Sequence, residues 1–594
     1  MLRKSKEKDR KRKAEETVTS AEILYSSDTD CVELTESGTS DAEDLPFETV
    51  QNKQTARNPR KKFKSASQII SPALAAALDR TNLSDRKATY VLSAAANTYA
   101  DGDASVLPIS VSSIRRSRRQ HRTQFAATTK TEFSHEGALI LHFDGKLLPA
   151  IRGGPLKEHR VAILVSGCEM EKLLGVPKVG QGTGKQLANV AHMSVLEWKI
   201  VDQVVGISFD TTAANTGRLN GACTLLELKM QKKLLWLACR HHVLEVVCGD
   251  VFKSVFGAMS APSVPLFRRF QEQWPMIDQT TYEPCTDHRL SKELESDRND
   301  AIDFFTNMLL RESDSIPRED YRELLELAIL FLGKVPPRGV RFRMPGAFHH
   351  ARWMAKLLYV LKLNLFRKQF QLTPRESHSC LEFGLFIALV YIRPWITCTN
   401  SCDAPTNDLN LVRAVVTYRS ISEAISTAAA KAISRHLWYL SEELVPLSLF
   451  SDCVSINTKR QMAIRIREIL GHDVAYQDRS TRCIAHDIRT LSNNSLESFI
   501  GPASAFFFSA LRIDYRFLES DVKDWDKIES FQQARKAARA LKVVNDCAER
   551  GIGLATTFNS SITKKEDQKQ FLLQMVESHR KLYPNPLKRT LFPQ

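Results

Sequence analysis

Two acidic residues stand where apolar segments of the sequence are interrupted or end. Asp144 lies inside "LILHFDGKLLP", and Asp210 directly follows the run "VVGISF". A carboxylate in such a place is costly to bury unless it is paired, hydrogen-bonded or bound to a metal. Carboxylate oxygens on neighbouring strands suit Mg²⁺ or Mn²⁺. Two such ions can hold the attacking and leaving oxygens of a phosphodiester displacement, so these residues are candidate metal ligands.

Each aspartate also has a structural interpretation. Asp210 precedes "TTAANTG", so its side chain could cap the following turn, as aspartate often does. Asp144 is harder to explain in this way, because aspartate is disfavoured in the interior of a strand. Spacing along the chain does not by itself show that the two carboxylates meet.

Four apolar runs bounded by turn-forming residues predict the strands that would carry these side chains. Helical patterns such as "GKQLANVAHMSVLEWKI" separate the later runs. This alternation predicts a mixed sheet flanked by helices, which is an α/β layer. The predicted strands are 137–149, 159–167, 201–210 and 233–242.

Residues 291–468 have helical periodicity almost throughout and show no repeat of fixed period, so we expect an all-α block rather than a solenoid. In "HARWMAKLLYVLK", Trp353, Leu357 and Leu361 share one helical face, which predicts a buried Trp353. The adjacent Arg352 would point elsewhere. It would pair there with a carboxylate or a phosphate, or remain a surface cation.

The chain has 594 residues, 43% of them hydrophobic, a formal charge of +15 and a pI near 9.2. This length predicts two to four structural units. The excess of basic residues indicates nucleic acid as the partner, and the alternative is a merely soluble basic protein.

Twelve cysteines without a Cys-x-x-Cys pair argue against a disulfide framework and a paired zinc finger. The apolar run 383–392 is too short to span a bilayer, so we expect a buried helix and no membrane partner.

The N-terminal part of the chain is polar and rich in charge. Residues 1–67 alternate basic and acidic blocks, which predicts a disordered tail. The basic clusters 3–13 and 60–64 fit nuclear import signals, or a solvated tail, and we expect a nuclear protein. Residues 68–130 are predicted to be helical. Their segment "SSIRRSRRQHR" fits either a solvated helix face or a DNA-binding region that contacts phosphates through Arg115, Arg116, Arg118, Arg119 and Arg122.

One cysteine and two histidines occur together in "CRHHVLEVV". Cys239 and His242, with His241 beside them, would make only half of a zinc site, and no second half is evident. Because the run is apolar and helix-like, a role in packing and hydrogen bonding is the main alternative.

Taken in chain order, these segments resemble transposases of the hAT (Activator-like) kind over roughly residues 133–525. The resemblance rests on "HFDGK", "SFDTTAANTG", "CRHH" and "HHARWMAKLLYVLK". It implies a ribonuclease H-like core split by a helical insertion, with the Cys239–His242 pair ordering the start of the insertion near the active site. The implied division is 131–290 for the first part of the core, 291–468 for the insertion and 469–594 for the C-terminal part.

The resemblance also implies a third acidic residue on a helix after the insertion. The candidate is Glu497 in "LSNNSLESFIGPAS", although the spacing is one residue shorter than in the family. Glu245 and Glu382 are alternatives, and Glu497 could instead be a first-turn carboxylate favoured by the helix dipole. The chain departs from the family in having no N-terminal paired Cys/His finger. Residues 68–130 would then have to recognise DNA.

We therefore expect a nuclear, transposase-like protein that binds DNA, forms homo-oligomers and carries out Mg²⁺- or Mn²⁺-dependent strand cleavage and transfer. Asp144, Asp210 and Glu497 would be its catalytic residues and metal ligands. The main alternative is a transposase-derived module that binds DNA or protein without catalysis. A nuclear scaffold that dimerises through its helical half is a third possibility. Convergence of the three carboxylates within metal-bridging distance distinguishes the first from the second.

Overall fold

The computed structural model describes residues 70–99, 109–151, 153, 155–258, 263–311, 318–346, 353–470 and 488–584. The predicted N-terminal tail, both basic clusters and Arg352 lie outside these residues. The chain divides into two compact units. Among the described residues, the first unit contains Ser134–Leu148 and Glu158–Ile552, and the second contains 70–133, Pro149–Lys157 and 553–584.

A six-stranded mixed sheet forms the centre of the first unit. Its strand order is β3-β2-β1-β5-β6, and β4 pairs with β2. β5 runs parallel to both β1 and β6, whereas β3 and β4 are antiparallel to β2. The predicted mixed α/β class is confirmed. The strands are β1 (Leu139–Pro149), β2 (Lys157–Gly167), β3 (Met170–Gly175), β4 (Lys178–Val179), β5 (Val204–Phe209) and β6 (Leu235–Ala238).

Helices cover the parallel half of this sheet. Every residue of β5 and β6 is buried, as expected of parallel strands with both faces covered. A Cβ on Gly184, the first residue of α4, would collide with the carbonyl oxygens of Asn220 and Ala214, so glycine allows this helix to approach the following segment closely. The helices between β4 and β6 are α4 (Gly184–Glu197), α5 (Ala213–Thr216) and α6 (Ala222–Met230).

After β6 the first unit is helical. The helix α7 (Arg240–Phe256) begins directly after this strand, and the described residues from 265 onward contain helices, turns and loops only. The described part of the predicted insertion is therefore helical. Its helices are α8 (Pro265–Gln273), α9 (Glu295–Leu310), α10 (Glu319–Phe331), α11 (Trp353–Leu365), α12 (Pro374–Phe386), α13 (Ile392–Thr397), α14 (Ala404–Thr417), α15 (Glu423–Ile433) and α16 (Ile456–Leu470).

The C-terminal part of the first unit returns to the sheet. A Cβ added at Gly551 in α20 would touch Ala162 and Leu164 of β2, so this helix packs closely on the sheet. The helices of this part are α17 (Ile488–Ser492), α18 (Ser504–Ala510), α19 (Glu529–Ala540) and the start of α20 (Asp546–Thr557).

One continuous helical segment, Pro374–Thr397, has the length and composition of a membrane-spanning helix. Its most apolar window is 72% buried inside the protein, which is the behaviour of a core helix. This segment includes the apolar run 383–392 and a π-helical stretch, Ile387–Tyr391.

The second unit is a small helical assembly. α1 (Pro72–Arg80), α2 (Asp85–Tyr99) and α3 (Val111–Glu132) pack around a core of buried residues, and α21 (Glu566–Leu582) packs against α1 and α3. Ser71 caps α1 through its side chain, and Ser110 forms a capping box with Ser113 at the start of α3. The buried core residues are Ile70, Ala75, Leu78, Ala88 and Ile114.

Candidate active site

The parallel pairing of β1 and β5 brings the two aspartates side by side. The register aligns His142 with Ser208 at the last pair of the ladder, and continuing it by two residues along each chain brings Asp144 opposite Asp210, which directly follows β5. A step of two residues keeps a side chain on the same face of a strand. The Asp144 carboxyl group, in the middle of β1, is therefore expected beside that of Asp210, which directly follows the carboxyl end of β5, and the charge of Asp210 acts on Asp144.

Asp144 lies among other negatively charged groups. Burial raises the pKa of its carboxyl group well above the usual range, and the charges of Asp210 and Glu549 raise it further. The backbone N–H of Gly145 and the Lys146 ammonium act in the opposite direction but do not outweigh these effects. The ionised form of Asp144 thus lacks sufficient compensating charge.

Asp210 is fixed by the turn that follows it. Its Oδ1 atom accepts hydrogen bonds from the hydroxyl of Thr212, at 2.9 Å, and from the side-chain amide of Asn215. Both donors are side chains of the turn, and no side-chain hydrogen bond caps α5 at its N-cap, Thr212. The two bonds account for one carboxylate oxygen and hold the Asp210 side chain in a defined position.

A third carboxyl group, that of Glu549 in α20, belongs to the same environment. Burial raises the pKa of Glu549 to about 7, and Asp546 and Asp210 raise it as well, whereas Arg318 and Arg550 lower it. Sequence reasoning missed this residue. Its helical surroundings, "NDCAERGIGL", resemble an ordinary amphipathic segment, and only the fold brings it to the sheet.

Asn545 attaches the start of α20 to the sheet. Its Nδ2 donates to the carbonyl oxygen of Phe143 at 3.1 Å, and its backbone N–H donates to Sγ of Cys239 at 3.3 Å. Its Oδ1 lies 3.2 Å from Nδ1 of the buried His142. Asn545 therefore joins α20 to the strand that carries Asp144, and Glu549 follows one helical turn later.

Glu245 in α7 is a fourth carboxyl group, and it interacts electrostatically with Glu549 and Asp210. Burial raises its pKa well above the usual range, and Glu549 and Asp210 contribute to the increase. Its Oε2 atom is buried and has no hydrogen-bond partner among the described residues. We call Asp144, Asp210, Glu245 and Glu549 the acidic cluster.

The acidic cluster is not a preformed metal site. Within the described ranges, no group of three or more His, Cys, Asp or Glu side chains is arranged closely enough to hold a metal ion. The carboxyl groups share an electrostatic environment, and their oxygen atoms have the chemistry that Mg²⁺ and Mn²⁺ prefer. They would have to move closer together to bind either ion.

The Cys-x-x-His pair has a structural role at the junction of β6 and α7. Cys239 is the N-cap of α7, and burial raises the pKa of its thiol well above the usual range. This thiol accepts the hydrogen bond from Asn545 described above. Nδ1 of His242 is buried without a hydrogen-bond partner among the described residues.

The neighbouring His241 stacks on Trp395, with the ring centres 4.0 Å apart. Burial, together with the charges of Arg240 and Arg318, lowers the pKa of His241 to about 3.

Glu497 and Glu382 lie in other surroundings. Glu497 belongs to a 3₁₀ turn, Leu496–Phe499, that packs against α16, and its backbone carbonyl accepts a bond from Arg465 at 2.7 Å. Glu382 in α12 forms an ion pair with Arg289 at 2.7 Å. The carboxyl groups that raise the pKa of Asp144 are those of Asp210 and Glu549.

Trp353 begins α11 and is only half-buried, although Leu357 and Leu361 on the same face are fully buried. The predicted core face is thus present, but its first residue is partly open. The Trp353 ring lies 3.7 Å from the ring centre of Trp395, which also contacts His241. Trp353 therefore takes part in an aromatic stack that includes a residue of the Cys-x-x-His segment.

The basic residues of α3 divide into two groups. Arg118 is fully buried and pairs with Asp79 at 2.5 Å and with Asp85 at 2.9 Å. Arg122 also pairs with Asp79, at 2.6 Å. These two guanidinium groups are thus engaged with carboxylates of the second unit. Arg115 is 70% exposed and bonds to Asp85, while Arg116 and Arg119 are exposed.

Comparison of the chain with protein-family models gave no match, and comparison with curated proteins gave none either.

Proposed function

We propose that this chain is a transposase-like nuclear protein that binds DNA and carries out divalent-metal-dependent strand cleavage and transfer. The observation that carries this proposal is the position of Asp144 in β1 beside Asp210, which directly follows the neighbouring parallel strand β5, with the charges of Asp210 and Glu549 both acting on Asp144. A mixed sheet followed by a long helical region and a returning helix agrees with a ribonuclease H-like core split by an insertion. The proposal includes that fold.

Asp144, Asp210 and Glu549 are the residues that would hold Mg²⁺ or Mn²⁺. We place Glu549 in the role considered for Glu497, because Glu549 shares the environment of the two aspartates. When bound, such ions activate a water or a 3′-hydroxyl group and stabilise the leaving oxygen. The protein fixes Asp210 through Thr212 and positions α20 through Asn545.

Cleavage of supercoiled DNA in Mg²⁺ tests this proposal. The wild-type protein should nick DNA, and Asp210→Asn and Glu549→Gln should each reduce the rate by about a hundredfold or more, as expected when a charge-stabilising group is removed. Glu497→Gln is the matched control and should retain activity. Loss of activity in Glu497→Gln with retention in Glu549→Gln would restore Glu497 as the third ligand.

A catalytically inactive DNA- or protein-binding module derived from a transposase is the second candidate. The lack of a compact metal-binding group among the described side chains favours it, as does the engagement of one Asp210 oxygen by the side chains of Thr212 and Asn215. This candidate predicts salt-sensitive DNA binding without cleavage in Mg²⁺ or Mn²⁺.

The remaining parts of the proposal concern partners. The net charge of +15 and the exposed side chains of Arg116 and Arg119 support DNA binding. Homo-oligomer formation is part of the proposal, and the elution volume and light scattering of the full chain would test it. Nuclear import through the basic clusters 3–13 and 60–64 would be tested by neutralising both clusters and following the location of the chain in cells.

A further inference from the structure

The segment between α10 and α11 contains a concentrated positive charge. Residues 334–343, "KVPPRGVRFR", include four cations and no acidic residue. All four of these side chains are exposed. We call this segment the basic loop, and its cations are Lys334, Arg338, Arg341 and Arg343.

Several contacts within the first unit hold the basic loop in one conformation. The Phe342 ring packs edge-on against Phe366 at 4.8 Å, and Lys362 Nζ donates to the carbonyl oxygen of Arg343 at 2.7 Å. The N–H of Gly339 donates to the carbonyl oxygen of Pro336 at 2.9 Å, and Gly339 adopts φ of +78°. The loop is thus anchored, and its cations would lose less entropy on binding than those of a free segment.

The last residue of the basic loop returns to the N-terminal end of α10, whereas Lys334 follows the opposite end of this helix. Arg343 forms an ion pair with Glu319, the first residue of α10. The preceding residue, Arg318, acts electrostatically on both Glu245 and Glu549. The N-terminal end of α10 therefore links the Arg343 end of the basic loop to the acidic cluster, and Arg338 also acts electrostatically on Glu319 there.

We infer that Lys334, Arg338 and Arg341 bind the phosphate backbone of the duplex DNA presented to the acidic cluster. This inference rests on the proposed function. An acidic cluster repels a polyanion, so a nearby cationic surface is needed to hold DNA against it. Phosphate contacts of this kind fix the position of the DNA and carry no sequence information. Arg343 is left out because Glu319 already pairs with it.

Binding of a labelled 30-base-pair random-sequence duplex to the full chain, measured by fluorescence anisotropy at several salt concentrations, tests the inference. The experiment uses an Asp144→Asn background without divalent ions, so that cleavage cannot affect the result. The test variant replaces Lys334, Arg338 and Arg341 with Gln. The charge-matched control replaces the exposed cations Arg516, Lys523 and Lys527 with Gln.

The loop variant should weaken binding about tenfold or more at physiological salt, and the slope of log K against log salt should fall by about 0.9 for each phosphate that is no longer neutralised. The control should bind as the unsubstituted chain does. Equal affinity and slope for the two triple variants would overturn the inference, as would a preference for an RNA hairpin over the duplex. A loop-specific weakening of binding in a chain whose wild type does not cleave DNA would uphold the inference while rejecting the proposed catalytic function.

Discussion

Each unit of the molecule buries charged groups, but the two units balance that charge differently. In the second unit, Asp79 is fully buried with two arginines, Arg118 and Arg122, bonded to its carboxylate. In the first unit, burial and neighbouring carboxyl groups of the acidic cluster raise the pKa values of Asp144, Glu245 and Glu549. A buried charge is tolerated when its partners are in place, and removing one partner is costly. An excess of one sign is tolerated where a ligand or a proton can supply the balance. This difference in charge balance distinguishes Asp79 and its arginines, a structural set of charges, from the acidic cluster, a candidate functional one.

The largest effect on stability is expected in the second unit, where the buried charges are paired. Asp79→Ala removes the carboxylate that Arg118 and Arg122 share and leaves two buried guanidinium groups without it. We expect this change to destabilise the second unit by about 3–5 kcal/mol. Urea denaturation followed by circular dichroism would measure it. Asp526→Ala, which removes an exposed carboxylate, is the control, and an equal effect of both changes would contradict the structural role of Asp79.

In the acidic cluster, by contrast, removing a carboxylate is expected to stabilise the protein. Because the folded-state pKa of Glu549 is raised to about 7, stability is highest below the ordinary pKa of a glutamate and is lost as the pH rises toward 7. Glu549→Gln should remove this loss and stabilise the first unit by roughly 1–3 kcal/mol at pH 8. The gain should nearly vanish at pH 4.5.

Denaturation of wild type and Glu549→Gln across this pH range would measure the difference. A destabilised Glu549→Gln at pH 8, in the absence of metal, would show that the carboxylate is compensated and would remove the contrast with Asp79.

An intermediate effect is expected where α20 joins the sheet. Asn545→Ala removes the donor to the Phe143 carbonyl and the partner of His142. A buried group left without its partner costs about 1–3 kcal/mol, so stability should fall by that amount. The position of Glu549 should be disturbed as well. If Asn545→Ala lowers stability but leaves the pH dependence attributed to Glu549 unchanged, α20 is held to the sheet by other contacts.

The smallest effect on stability is expected at the exposed positions of α3. Arg116→Gln should change the free energy of unfolding by no more than about 0.5 kcal/mol, because the side chain is exposed. Arg118→Gln on the same helix should destabilise strongly, since it breaks the buried pairs with Asp79. DNA affinity measured on Arg116→Gln would then report on phosphate contacts without interference from folding. Equal stability losses for the two variants would contradict the distinction between exposed and buried arginines in α3.

The strands that carry Asp144 and Asp210 could be predicted, because long apolar runs between turn residues identify them locally. The short strand β3, "MEKLLG", could not, since six residues of mixed character give no clear period. Glu549 was missed because no local pattern connects it to residues so far away along the chain. Arg118 and Arg122 could have been separated from Arg116, since they follow the buried Ile114 at intervals of four residues and so share its face.

The aromatic stack at α7 gives the protein a built-in optical probe. Trp395 lies between His241 and Trp353, at ring distances of 4.0 Å and 3.7 Å. Two indoles this close are coupled chromophores, so they contribute to near-ultraviolet circular dichroism as a pair. Any shift of α11 or α13 against α7 would alter that spectrum and the tryptophan emission. Rearrangements beside the acidic cluster could therefore be followed in the unlabelled protein as DNA or a divalent ion is added.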